Sequence, residues 1–230
     1  MKKKVLVFAA HPDDEILGCG GTIAKHVKSG DEVGVVILAE GITSRDFTKI
    51  SSLQNKELAD LKIVAERANK LLGVSFLEMC GYPDQRLDSF DLLDLVKKVE
   101  AFILKFQPEV VYTHHGGDLN SDHKIVYEAV VTACRPIPGF NVKTLLFFEI
   151  ASSTEWQMPS SGLYFMPNWF IDISDVLDVK LQALEIYNSE MRQFPHARSN
   201  EGLNCLAKWR GASVGVMAAE AFILGRKILK

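Results

Sequence analysis

The chain opens on an apolar run at residues 4–10, and similar runs recur at 32–39, 74–79, 109–114 and 143–150. Runs of this length without polar alternation mark strands buried on both faces. The segments between them change period. Residues 14–29 set Ile16, Leu17, Ile23, Ala24 and Val27 at helical spacing and close on Gly30. Residues 51–72, 91–106 and 121–134 also predict helices; Gly73 ends the first and Pro108 the second. Strands alternating with helices imply right-handed crossovers, hence an α/β, Rossmann-like fold. Its sheet is expected to be mostly parallel, with five or more strands and helices on both faces, in one domain over residues 1–230. The last third is less regular. Residues 152–168 read as a loop, 175–192 as a helix, and 220–228 as a strand or a helix.

In open α/β sheets, ligands bind beyond the carboxyl ends of the strands. Polar residues gather at those positions here. His11-Pro12-Asp13-Asp14-Glu15 follows the first strand, and a segment with Arg45 follows the second. Gly81 to Arg86, with Asp84, follows the third; His114 to His123, with Asn120 and Asp122, follows the fourth. Pro12 and the acids after it suit the start of a helix. A histidine ending an apolar strand does not follow from that. His11 and Asp14 lie across a tight turn, where imidazole and carboxylate can converge on one cation, with Asp13 beside it. His123 brings the set to the three N/O ligands of a catalytic zinc with an open position. Helix-start acids and surface histidines remain the alternative reading of the same residues.

Composition narrows the classes. Hydrophobic residues are 47% and charged residues 24%, an ordinary globular mixture. The net charge of −3 offers no electrostatic footprint for nucleic acid. Cys19, Cys80, Cys134 and Cys205 are scattered without a C-x-x-C pair, which argues against a disulfide scaffold or zinc ribbon. After Met1-Lys2-Lys3-Lys4, the apolar run is shorter than the roughly 7–15 residues of a signal-peptide core. No stretch approaches the roughly 20 apolar residues of a membrane span. The expectation is a soluble cytoplasmic protein; a homo-oligomer is compatible with the sequence.

The phrase Ala10-His11-Pro12-Asp13-Asp14-Glu15, together with Asp122-His123, resembles the LmbE-like or PIG-L-like family of zinc-dependent N-deacetylases. Arg198-Ser199 and Arg210-Gly211 are similar to the tail of its bacterial members. The resemblance covers nearly the whole chain. It implies His11, Asp14 and His123 as ligands of Zn2+ (Fe2+ suits the same donors) and Asp13 as general base. The implied substrate is a small N-acetyl amino sugar conjugate of N-acetylglucosamine type. Asn120 stands where many members carry the first histidine of H-x-D-H. An asparagine can bind substrate but holds no proton to give. A donor from another loop is therefore expected, with His196 first and His114 and His115 as alternatives. Arg45 and Asp84 are expected to bind the sugar. A nonhydrolytic sugar- or nucleotide-binding module and a metal phosphoesterase are the rival functions.

Other features are read more plainly. Gly18-Cys19-Gly20-Gly21 falls inside a helix and reads as close packing on the sheet, not as a dinucleotide loop. His26 reads as a solvated helix residue. Trp156, Trp169 and Trp209 are either sugar-lining or packing residues.

Overall fold

The computed structural model describes residues 2–42, 51–158 and 162–229, with residues 51–55 described by their backbone alone. Arg45 lies outside the described residues. The elements follow in the order β1 (Lys4–Ala9), α1 (Asp14–Lys28), β2 (Glu32–Ala39), α2 (Ser51–Leu71), β3 (Phe76–Tyr82), α3 (Leu92–Phe106) and β4 (Val110–His114). Then come α4 (Ser121–Ala133), β5 (Thr144–Phe148), β6 (Trp169–Asp172), α5 (Leu177–Ile186), α6 (Asn200–Ala212) and β7 (Ala219–Lys227).

The strands form one seven-stranded sheet in the order β3-β2-β1-β4-β5-β7-β6. Every pairing from β3 across to β5 is parallel. β7 pairs antiparallel with both β5 and β6, for example Phe148 with Phe222 and Phe170 with Ala221. The sheet is therefore mixed, not mostly parallel, and Rossmann-like describes it only approximately. β7 follows α5 and α6 and runs against both of its neighbours.

Burial on both faces explains the apolar runs. Along β1, Val5, Val7 and Ala9 face a core shared with α1, α2, α5 and α6. Leu6 and Phe8 face the opposite core, built with α3 and α4. The ambiguous segment at 220–228 is strand β7. The helix expected over 175–192 stops at Ile186, and both β6 and α6 lie where no element was expected. A short 3-10 turn, Thr154–Trp156, interrupts the expected loop.

Helix α1 is kinked at Cys19, whose φ is −151°. A Cβ on Gly18 would stand 2.4 Å from the Phe148 ring, so glycine lets the helix lie on the sheet as the sequence suggests. The kink frees the N–H groups of Gly21 and Thr22, and the buried Glu220 of β7 accepts both at 2.9 and 2.7 Å. Lys180 of α5 neutralises that carboxylate at 2.6 Å. His26 differs from expectation. It is part-buried, with Nδ1 2.7 Å from Asp31 and Nε2 2.9 Å from the Tyr112 hydroxyl. No described helix is long and apolar enough to cross a membrane.

Candidate metal centre

Strand order reverses between β1 and β4, which leaves a crevice at their carboxyl ends. The loop after β1 supplies His11, Asp13 and Asp14; the start of α4 supplies His123. Ligand atoms of His11, Asp14 and His123 all lie within 4.8 Å of one another. Asp14 Oδ2 is the hinge of the group, 3.2 Å from His11 Nδ1 and 3.1 Å from His123 Nε2. Asp14 Oδ1 is buried with no hydrogen-bond partner among the described residues. An orphaned buried carboxylate oxygen costs free energy unless a cation or water meets it. The three donors thus fit a divalent ion, as the sequence reading of these residues expects.

Other carboxylates hold the imidazoles. His11 Nε2 lies 3.1 Å from Asp122 Oδ2, and Asp122 is fixed by the backbone N–H groups of Gln85 and Leu87. His123 Nδ1 lies 3.1 Å from Asp118 Oδ1. Asp118 in turn accepts from the hydroxyls of Ser153 and Thr154. Burial would raise the Asp118 pKa, but His123 and these hydroxyls outweigh it and hold the carboxyl down at about 2. Burial likewise disfavours charge on His123, yet Asp14 and Asp118 on either side push its pKa up to about 9. Such outer carboxylates fix the orientation and basicity of metal-binding histidines. Sequence reasoning gave Asp118 no role and offered a helix-start acid as the alternative for Asp122, which it also placed in the Asp122-His123 phrase. Their closeness in sequence to His123 is the signal that separates them from ordinary acids.

Asp13 lies beside this group and is not capping the helix. It occupies the N-cap position of α1 in the left-handed region, φ 105°, with no side-chain cap bond. Its Oδ2 accepts from Arg198 Nη1 at 3.0 Å. Burial drives its pKa well up, and the Arg198 charge works against that.

The cavity over the group is lined by polar side chains: the metal-site residues with Asp13, Asp84, Gln85, Asn120, Ser152, Ser153, Glu190 and Arg198. Asp84 is buried there, 3.1 Å from His11 Nε2. Asn120 caps α4, its side chain accepting from the N–H groups of Asp122 and His123. His196 is not among the lining residues. Its Nδ1 accepts the Arg198 N–H at 3.0 Å, and its ring stands edge-on to Trp156. His114 is stacked on His123 at 4.0 Å, with Nε2 accepting the Ala10 N–H. His115 is turned to the carbonyl of Leu163. Trp169 carries Lys227 over its ring, and Trp209 is exposed.

The family model described as PIG-L, GlcNAc-PI de-N-acetylase, matches residues 6–134, which include all three candidate ligands. The chain belongs to the PIG-L family. A curated relative, diacetylchitobiose deacetylase of Thermococcus kodakarensis, is 30% identical over 201 residues, 84% of this chain and 71% of the relative. The probable N-acetyl-alpha-D-glucosaminyl L-malate deacetylase 2 of Bacillus cereus is 28% identical over 223 residues, 91% and 94% of the two chains. Among solved structures, the N,N'-diacetylchitobiose deacetylase of Pyrococcus horikoshii superposes with a TM-score of 0.78 at 22% identity. That match covers 97% of this chain and 84% of the other, and it speaks to the fold. The PIG-L match ends at the last turn of α4, so Ser152, Glu190 and Arg198 in the cavity wall come from outside it.

Proposed function

We propose that this PIG-L chain hydrolyses the acetamide of an N-acetylated amino sugar of N-acetylglucosamine type. Its cofactor in this reading is one divalent ion, zinc before iron, on His11, Asp14 and His123. The observation that carries the proposal is the Asp14 carboxylate, whose Oδ2 stands between His11 and His123 while its buried Oδ1 has no partner among the described residues, with Asp13 beside them in one polar cavity. The names of the two deacetylase relatives support the substrate class. Residues 1–230 are read as one domain, since the strands of a single sheet run from Lys4 to Lys227.

A divalent ion bound there lowers the pKa of water toward neutrality and polarises an amide carbonyl. The remaining work falls to side chains. Arg198 occupies Asp13 Oδ2 and favours the ionised carboxylate, leaving Oδ1 to take the proton of the attacking water. Asp13 then returns that proton to the leaving nitrogen, because an amine leaves poorly unless protonated. The donor role expected of His196 passes to Asp13 in this reading, and His196 serves by holding the Arg198 backbone. Asp84 and Asn120 contribute hydrogen bonds to the sugar from the cavity wall. Arg45 is retained as a sugar-binding residue on its place in the loop after β2.

Acetate release from a panel of N-acetyl sugars tests the proposal. Acetate and free amine should appear in equal amounts, vanish with a chelator and return with added zinc. Full metal occupancy with no acetate from any N-acetyl sugar, or phosphate released from phosphoesters instead, would overturn it.

A further inference from the structure

The left-handed backbone of Asp13 needs an explanation of its own. At φ 105° a non-glycine residue is strained, and such strain persists only when surroundings over-determine it. An N-cap aspartate normally sits in the extended region and turns its carboxylate onto the first amides of the helix. Asp13 does neither, and its carboxylate reaches Arg198 instead.

The backbone N–H of Asp13 donates to Glu15 Oε2 at 3.0 Å. Glu15 is fully buried, and its other oxygen is gripped twice. Tyr187, the C-cap residue of α5, donates its hydroxyl to Oε1 at 2.8 Å. Asn69 of α2 donates Nδ2 to the same atom at 2.8 Å. Tyr187 and Asn69 are themselves buried. Glu15 is thus pinned by two helices that contribute nothing else to the cavity described above, and the pinned carboxylate holds the amide of the strained residue. A solvated helix-start acid has no use for such an arrangement, and both Glu15 oxygens are engaged, so it is no metal ligand.

We propose that Tyr187 and Asn69 are positioning residues for Asp13, acting through Glu15 to keep its backbone left-handed and its carboxylate in the cavity. This rests on the reading of Asp13 as general base. With either grip on Oε1 removed, Glu15 is held by one donor instead of two, its bond to the Asp13 amide loosens, and the residue relaxes toward an ordinary N-cap.

The test uses Tyr187→Phe and Asn69→Ala in the full chain with one zinc per chain, and N,N'-diacetylchitobiose as substrate. Tyr112→Phe is the control, since it deletes a buried hydroxyl's hydrogen bond at the far end of the sheet. Both site variants should lower kcat at least tenfold, the scale of a misplaced catalytic group. KM should stay within about twofold of the parent and zinc content at one per chain. Hydrogen exchange at the Asp13 amide should quicken in both variants and not in Tyr112→Phe, a readout that needs no turnover. Parent-like exchange at Asp13 in both variants, a loss of kcat matched by Tyr112→Phe, or a change in KM alone would overturn the proposal. Asp13→Asn separates it from the reading beneath it. If Asp13→Asn keeps parent turnover, the general base is misassigned. If that variant is inactive while Tyr187→Phe and Asn69→Ala keep parent kcat, only the positioning role fails.

Discussion

At the carboxyl ends of β1 and β4, His11, Asp14 and His123 crowd together with their carboxylate braces. Near the amino ends of the same strands, His26, Asp31 and Tyr112 form a second histidine–carboxylate cluster. In the second, the accounts close. Both His26 nitrogens are engaged, and Asp31 accepts from His26 and from the Lys3 N–H. In the first they do not: among the described residues, Asp14 Oδ1 and His114 Nδ1 are buried without partners. A polar cluster kept for stability tends to satisfy itself, while one kept for a ligand leaves donor atoms facing one another and waiting. Residue type alone, histidine beside aspartate, does not distinguish the two.

The sharpest break of this contrast is Asp14→Ala. Metal binding measured by isothermal titration should be lost, and acetate release with it, with the fold intact by circular dichroism. Retained stoichiometric zinc would remove Asp14 from the ligand set. Next in size is Asp13→Asn, which should keep one metal per chain while turnover falls roughly 100-fold or more. Asp118→Asn should weaken zinc affinity by roughly 10–100-fold, the usual cost of an outer-shell partner. The same titration across pH sharpens this. The two carboxylates hold a proton on His123 up to about pH 9, and zinc must displace it. Affinity should therefore climb as pH rises toward 9 in the parent and climb less steeply in Asp118→Asn; parallel curves would count against the brace.

The smallest effect belongs to the self-satisfied cluster. Burial depresses the His26 pKa, with Asp31 partly opposing, so the folded state prefers the neutral ring. That preference stabilises the fold above the unfolded pKa of about 6.5 and is lost as pH falls through the lower, folded value. His26→Gln should cost about 1 kcal/mol at pH 8 and flatten the decline of Tm between pH 7 and pH 5, leaving kcat alone. Equal slopes in parent and variant would exclude His26 as the titrating group.

Much of this fold is legible in the sequence. The parallel half of the sheet announces itself as apolar runs, because strands covered on both faces have no polar side to show. Two of the candidate ligands, His11 and Asp14, stand out because they share a short turn directly after a strand. The antiparallel end does not, since hydrophobic pattern carries no strand direction. β6 is only four residues, Trp169–Asp172, and α6 mixes Asn, Gly, Lys and Arg into its turns, so neither stands out. The supports of Asp13 were invisible for another reason. Glu15 meets Asn69 and Tyr187 across 54 and 172 residues, and no local spacing encodes such a meeting.

Those separations also impose an order in time. The three metal donors lie within the first 123 residues, on the parallel strands and their crossovers. The groups that grip Asp13 and its neighbour, Tyr187 and Arg198, and the Glu220 that closes the kink of α1, are synthesised after all three. A ribosome that has released only the parallel half has made every metal ligand and none of these late supports. Contacts this distant in sequence are entropically slow to form. The growing chain thus has its candidate cation donors before it has the braces of the carboxylate beside them.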